Sequence, residues 1–234
     1  MYQSHDVPWR LRRGVEHFQH NHSSLLARTT VEHVAFRISR IATTWSKDVL
    51  GRAVVAEQIY CWVFRLKEHD WTAVVLGDPL LLGAGTEIAQ FLEGGCAAER
   101  LSRELEVPVI TFVCSDTTDT MSYSLAADGN RLESLVDMGG EVLFQSRIVD
   151  GDRGASESSH QAADSLFRDQ GAYEPAIDSE YFFRECSTRP AANPGAEVVV
   201  GNPGFELVID SRVSVDIPTF DRVDYLTFDQ PGDD

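Results

Sequence analysis

The run Ile59–Leu66 (Ile-Tyr-Cys-Trp-Val-Phe-Arg-Leu) limits what this chain can fold into more than any other segment. Such a density of β-branched and aromatic residues suits a pleated, buried surface. A polar turn follows, Lys67-Glu68-His69-Asp70, and Trp71–Leu76 returns in the same style. The two runs read as a β-hairpin, so the rest of the fold must be built around a sheet. Ala53–Ala56 reads as a strand before it, and Val107–Cys114 as a buried strand after it, with Pro108 tolerated near the strand start. Met121–Ala126 alternates Met121, Tyr123 and Leu125. Asp128-Gly129-Asn130 is a tight-turn signal, and Arg131–Val136 returns from it. Glu141–Val149, Val198–Val200, Phe205–Ile209, Val213–Ile217 and Val223–Phe228 are further short strands.

Helical spacing appears elsewhere. Asp6-Val7-Pro8-Trp9 has a cap and an early proline, and Leu11, Val15, Phe18 and His22 follow at helical intervals. Thr29 and Glu32 form a capping-box pattern. Behind it, Val31, Val34, Ala35, Ile38, Ile41, Ala42 and Trp45 make the clearest apolar stripe in the chain. A third helix is predicted over about Glu87–Glu106, and a short one over Ser159–Gln170 with Gly171 at its C′ position. Strict strand–helix alternation is absent. The expected fold is therefore α+β: N-terminal helices followed by a mostly antiparallel sheet with one or two packed helices. A single domain over residues 1–234 is expected, with a surface loop or weak boundary at 150–159.

Composition narrows the class. At 43% hydrophobic and 9% aromatic, the chain can bury enough surface to offset its ordering entropy. Four cysteines (Cys61, Cys96, Cys114, Cys186) show no CxxC spacing, so neither a disulfide scaffold nor a structural zinc site is indicated. No signal-peptide pattern and no membrane-length apolar run is present, so the reading is soluble and cytoplasmic. The net charge of -17 opposes nucleic-acid binding. That charge is a gradient. Residues 1–47 carry seven bases against three acids, whereas residues 150–234 carry eighteen acids against six bases. Front-to-back pairing, within one chain or between subunits, is the expectation.

Three clusters are candidates for chemistry. Cys114-Ser115-Asp116-Thr117-Thr118-Asp119-Thr120 ends an apolar strand. Carboxylates three apart could hold a hard cation, and Asp116 and Asp119, with His69, would then be catalytic. The competing reading is a turn whose side chains bond their own backbone. Glu16, His17 and His20 share a helical neighbourhood and are the candidate divalent-metal ligands, against a reading as surface histidines. His69-Asp70 near Cys61 or Cys114 would suggest a Cys–His pair, against a plain hairpin turn. No phosphate-loop, dinucleotide, nucleophile-elbow, HExxH or EF-hand pattern occurs. The expected function is thus a non-catalytic protein-binding module of regulatory, adaptor or immunity type, binding another protein or a second copy of itself. The alternative is a metal-assisted hydrolase or phosphatase on Asp116 and Asp119. No cofactor is expected, save a possible divalent metal.

Overall fold

The computed structural model describes residues 14–17, 22–57, 59–76, 97–115, 118–147, 158–182, 194–200 and 220–229. Its centre is the strand β1, His22–Ala27, whose six residues are all buried. It lies between β5 (Thr72–Leu76) and β6 (Val109–Ser115), antiparallel to both. β4 (Tyr60–Leu66) pairs with β5, as the hairpin reading expects. Among the described residues the sheet has nine strands in the order β2-β11-β4-β5-β1-β6-β7-β8-β9, with every neighbouring pair antiparallel. β2 is Thr44–Ser46, β7 Thr120–Ala127, β8 Asn130–Met138, β9 Glu141–Arg147 and β11 Phe220–Thr227. β3 (Ala53–Val55) and β10 (Glu197–Val199) form a separate two-stranded ladder.

Strand side chains alternate faces, so each face has its own core. One face carries Leu25, Cys61, Val63, Val74, Val109 and Leu226. Two helices cover it: α1 (Val31–Ile38) and α2 (Ala97–Leu105), through Val34, Ala35, Ile38, Leu101 and Leu105. The other face carries Tyr60, Trp62, Phe64, Phe112, Tyr123 and Tyr225, covered by α3 (Ser159–Asp169) and α4 (Tyr173–Phe182). Phe112 and Phe167 meet edge to face at 5.7 Å across this second interface. The architecture is a three-layer helix–sheet–helix sandwich. It explains why the central strands read as nearly continuous apolar runs, since neither face meets water.

The mixed helix and antiparallel-sheet character agrees with the sequence, but the expected N-terminal helices do not. His22, placed on a helix by its spacing from Leu11, Val15 and Phe18, is the first residue of β1. The pairing of β1 on both edges and its burial on both faces outweigh a weak local periodicity. The stripe from Val31 to Trp45 also divides. α1 ends at Ile38, and Trp45 lies on β2 opposite Leu226. Ile41, Ala42 and Trp45 still pack on the same core as α1, so the stripe reported a shared burial side and not one continuous helix. The cap shifts by one residue: the Thr30 side chain accepts the His33 amide at 3.3 Å.

Other local signals agree. Asp128 and Gly129 both take positive φ (51 and 75), the mirror-image turn that matches strand twist. α3 has a complete capping box between Ser158 and Gln161, and Gly171 follows at φ 63. α2 falls within the third predicted helix, whose residues 87–96 lie outside the described residues. The predicted strands Phe205–Ile209 and Val213–Ile217, the helix start at Asp6, and residues 150–157 of the predicted loop lie outside them too.

Candidate functional site

The β6–β7 connection holds Asp119, while Asp116 lies outside the described residues. Asp119 takes φ 47, a left-handed conformation that Asp tolerates better than most residues. Its surroundings form a self-bonded turn. The Thr118 amide donates to Ser115 Oγ at 3.4 Å, and Thr120 Oγ1 donates to the Thr118 carbonyl at 3.1 Å. The Asp119 carbonyl accepts the Gly139 amide at 2.7 Å.

Strand register places His69 far from Asp119. Near the Asp119 end, His22 pairs with Cys114, and Cys114 with Met121. At the other end, Ala27 pairs with Thr72 and Val109. His69 lies in the β4–β5 turn beyond Thr72, its amide donating to the Leu66 carbonyl at 3.2 Å. The whole of β1 intervenes, which at the usual rise per residue is roughly 20 Å. His69 and Asp119 therefore do not share a site. Cys61 is fully buried and pairs with Leu76 at the open end of the hairpin, away from His69 in its turn, and burial pushes its thiol up.

Glu16 and His17 lie in a short 3-10 turn, Val15–His17, with Glu16 exposed. His20 lies outside the described residues. Among the described residues no three His, Cys, Asp or Glu side chains converge as a bound metal would require.

Two sites escape a sequence reading. The first is His22, fully buried, with Nε2 at 3.4 Å from Ser179 Oγ on α4 and its ring centroid 6.3 Å from that of Phe112. Burial pushes its pKa down to about 3, so the imidazole is neutral at physiological pH. The second is Asp224 on β11, also fully buried. It accepts from Trp45 Nε1 at 2.8 Å, from the Asp48 amide at 3.0 Å, and from Arg222 through Nε (2.7 Å) and Nη2 (2.9 Å). The carboxylate holds the guanidinium pKa above its ordinary value. This network is an internal clamp that ties β2 and the residue-48 backbone to β11.

Among the described residues, three consecutive large apolar side chains are exposed on β9. Val142, Leu143 and Phe144 are 45%, 57% and 47% exposed, and Met138 just before the β8–β9 turn is 50% exposed. Monomeric proteins seldom expose consecutive large apolar residues without a use for them. β9 is an edge strand of the nine-stranded sheet, so one row of its backbone groups has no strand neighbour among the described residues. The β8–β9 pairing slips between Val136 and Asp137: Phe144 faces Val136, Val142 faces Asp137, and Leu143 is the extra residue of a bulge. The turn between the strands is Gly139-Gly140, both at positive φ (64 and 77), a conformation glycine adopts without strain.

The hairpin is held firmly at its base. The buried Asp137 carboxylate accepts the Gly140 amide at 3.0 Å and the hydroxyl of Ser159, the first residue of α3. The Asp119 carbonyl holds Gly139 from the other side. The sequence marks Glu141–Val149 as a strand, but nothing in it marks that strand as the edge. That property depends on strand order.

The charge gradient is partly resolved within the chain. Arg28 pairs with Asp70 at 3.3 Å and Arg37 with Glu104 at 2.6 Å, so two front bases meet acids of the middle segment. Arg222 of the acidic rear in turn reaches Glu32 of the front at 3.7 Å. Such partly exposed pairs contribute only modestly to stability.

No protein family, no curated protein and no solved structure matches this chain. Among the described residues no helix is long and apolar enough to cross a membrane.

Proposed function

We propose that the chain is a protein-binding module that makes its contact through the β8–β9 hairpin. One observation carries this reading: an anchored strand at the edge of the described sheet that exposes three consecutive large apolar residues. An exposed edge offers main-chain hydrogen bonds to a strand of a partner, and the apolar side chains add burial to them. Fully burying one such side chain contributes about 1.5–3 kcal/mol, so the patch is costly to leave in water.

Site-specific photo-crosslinking in the native host tests the reading. A photoreactive residue at Leu143 should give discrete protein adducts, whereas one at exposed Glu68 in the β4–β5 turn should not. Equal labelling at both positions would remove the support. The metal-assisted hydrolase is the weaker reading. Its support reduces to the acids of the Asp116–Asp119 segment, and the described part of that segment bonds to itself and to Gly139.

A further inference from the structure

Granting that β9 is the contact element, we infer that its partner is a second copy of the same chain, paired antiparallel edge to edge. The strand is complementary to itself. Its sequence is Glu141-Val142-Leu143-Phe144-Gln145-Ser146-Arg147. In an antiparallel pair related by a two-fold axis at Phe144, Phe144 faces Phe144 of the copy and Leu143 faces Gln145. Val142 faces Ser146, and Glu141 faces Arg147. Thus the only two charged positions of the strand fall opposite each other, acid to base, at both ends of the ladder. Opposite charges across a rung favour pairing, and like charges there oppose it. A parallel pairing in register would instead set acid against acid and base against base.

The two-fold arrangement is isologous: each copy presents the same patch, which closes the assembly at two. It would join the two described sheets into one continuous sheet and pair the β9 edge of each. Phe144 would then pack against Phe144 of the copy, and Val142 and Leu143 would gain cross-strand neighbours at the junction. Overall charge works against this encounter, since each copy carries -17. The added salt of a physiological buffer screens that repulsion and should help the pair to form.

Sedimentation equilibrium of the full chain, from roughly 1 to 100 μM, tests the inference. The expected result is a shift from the 26.0 kDa monomer to twice that mass. Phe144→Lys and Leu143→Lys should each weaken dimerisation at least about tenfold without lowering the melting temperature at concentrations where the wild type is monomeric, because both side chains are exposed in the monomer. Register is tested by charge exchange. Glu141→Arg alone and Arg147→Glu alone should each weaken the dimer, and the double exchange should restore it. A monomer across the whole range overturns the inference, as does a dimer indifferent to both lysine substitutions. A monomer whose Leu143 position still crosslinks to a different protein overturns self-pairing but leaves the binding-module reading standing. A monomer with no adduct at Leu143 overturns both.

Discussion

The carbonyl oxygen of Asp119 accepts the backbone N–H of Gly139 at 2.7 Å, which joins the β6–β7 connection to the β8–β9 turn. A residue that its sequence context marks as a possible metal ligand thus has a mechanical role, carried by its backbone. Asn also tolerates the left-handed conformation. Asp119→Asn should therefore change stability by less than about 0.5 kcal/mol in urea denaturation. Tag-free protein should show no rise in melting temperature with Mg²⁺, Mn²⁺ or Zn²⁺. A metal-dependent rise that Asp119→Asn abolishes would restore the hydrolase.

Asp137 anchors the same hairpin through its side chain, accepting from Gly140 and from Ser159. Asp137→Ala removes an acceptor from two donors and unties the hairpin from α3. A loss of about 2–3 kcal/mol is expected, in line with hydrogen bonds to a charged group. The β9 amides should also exchange faster than in the wild type. Unchanged exchange across β9 would mean that the hairpin does not depend on this anchor.

Asp224 ties β2 and the residue-48 backbone to β11. Removing the carboxylate while leaving Arg222 and the Trp45 indole is expected to cost about 3 kcal/mol, the low end for breaking a buried pair, because Arg222 keeps some solvent access. Trp45→Phe deletes one of these donors and should cost about 1–2 kcal/mol. The two losses should not add, since the residues share a bond. Strict additivity in a double-mutant cycle would show that the 2.8 Å contact contributes nothing.

His22 gives a pH signature. Its folded pKa, about 3, lies below the ordinary 6.5, so the unfolded chain binds more protons in between. The stability linked to His22 is complete above pH 6.5 and is lost as pH falls toward 3. Between pH 6.5 and 5 this amounts to about 2 kcal/mol, before most carboxylates titrate. Asp164 slopes the other way. Burial raises its pKa, so protonating it as pH falls favours the folded state between its ordinary and its raised value. Urea midpoints of wild type and His22→Gln, compared over pH 7 to 5, isolate the His22 contribution. The wild type should lose stability and the variant should lose markedly less. Parallel curves would contradict neutral burial.

Local chemistry was legible where it decides structure alone. Asp128-Gly129 forms the turn its residues favour, and Gly171 ends α3 as its lack of a side chain permits. Where tertiary contacts decide, the sequence misleads. β1 contains two buried serines and a buried histidine, a composition that does not announce a central strand; only pairing with β5 and β6 makes it one. Trp45 sits at helical spacing from Ile38 and Ile41, yet Asp224, 179 residues away, holds its strand in place. The candidate contact site is harder still, because an edge is a property of strand order. Val142-Leu143-Phe144 in a central strand would be core.

Hydrogen exchange of the β9 amides at two protein concentrations tests the central claim most directly. Amides that point toward β8 should be protected at any concentration. The β9 amides that point away from β8 should gain protection as concentration rises through the monomer–dimer transition, and Phe144→Lys should abolish that gain. Fast exchange of those outward amides at every concentration would contradict self-pairing through β9.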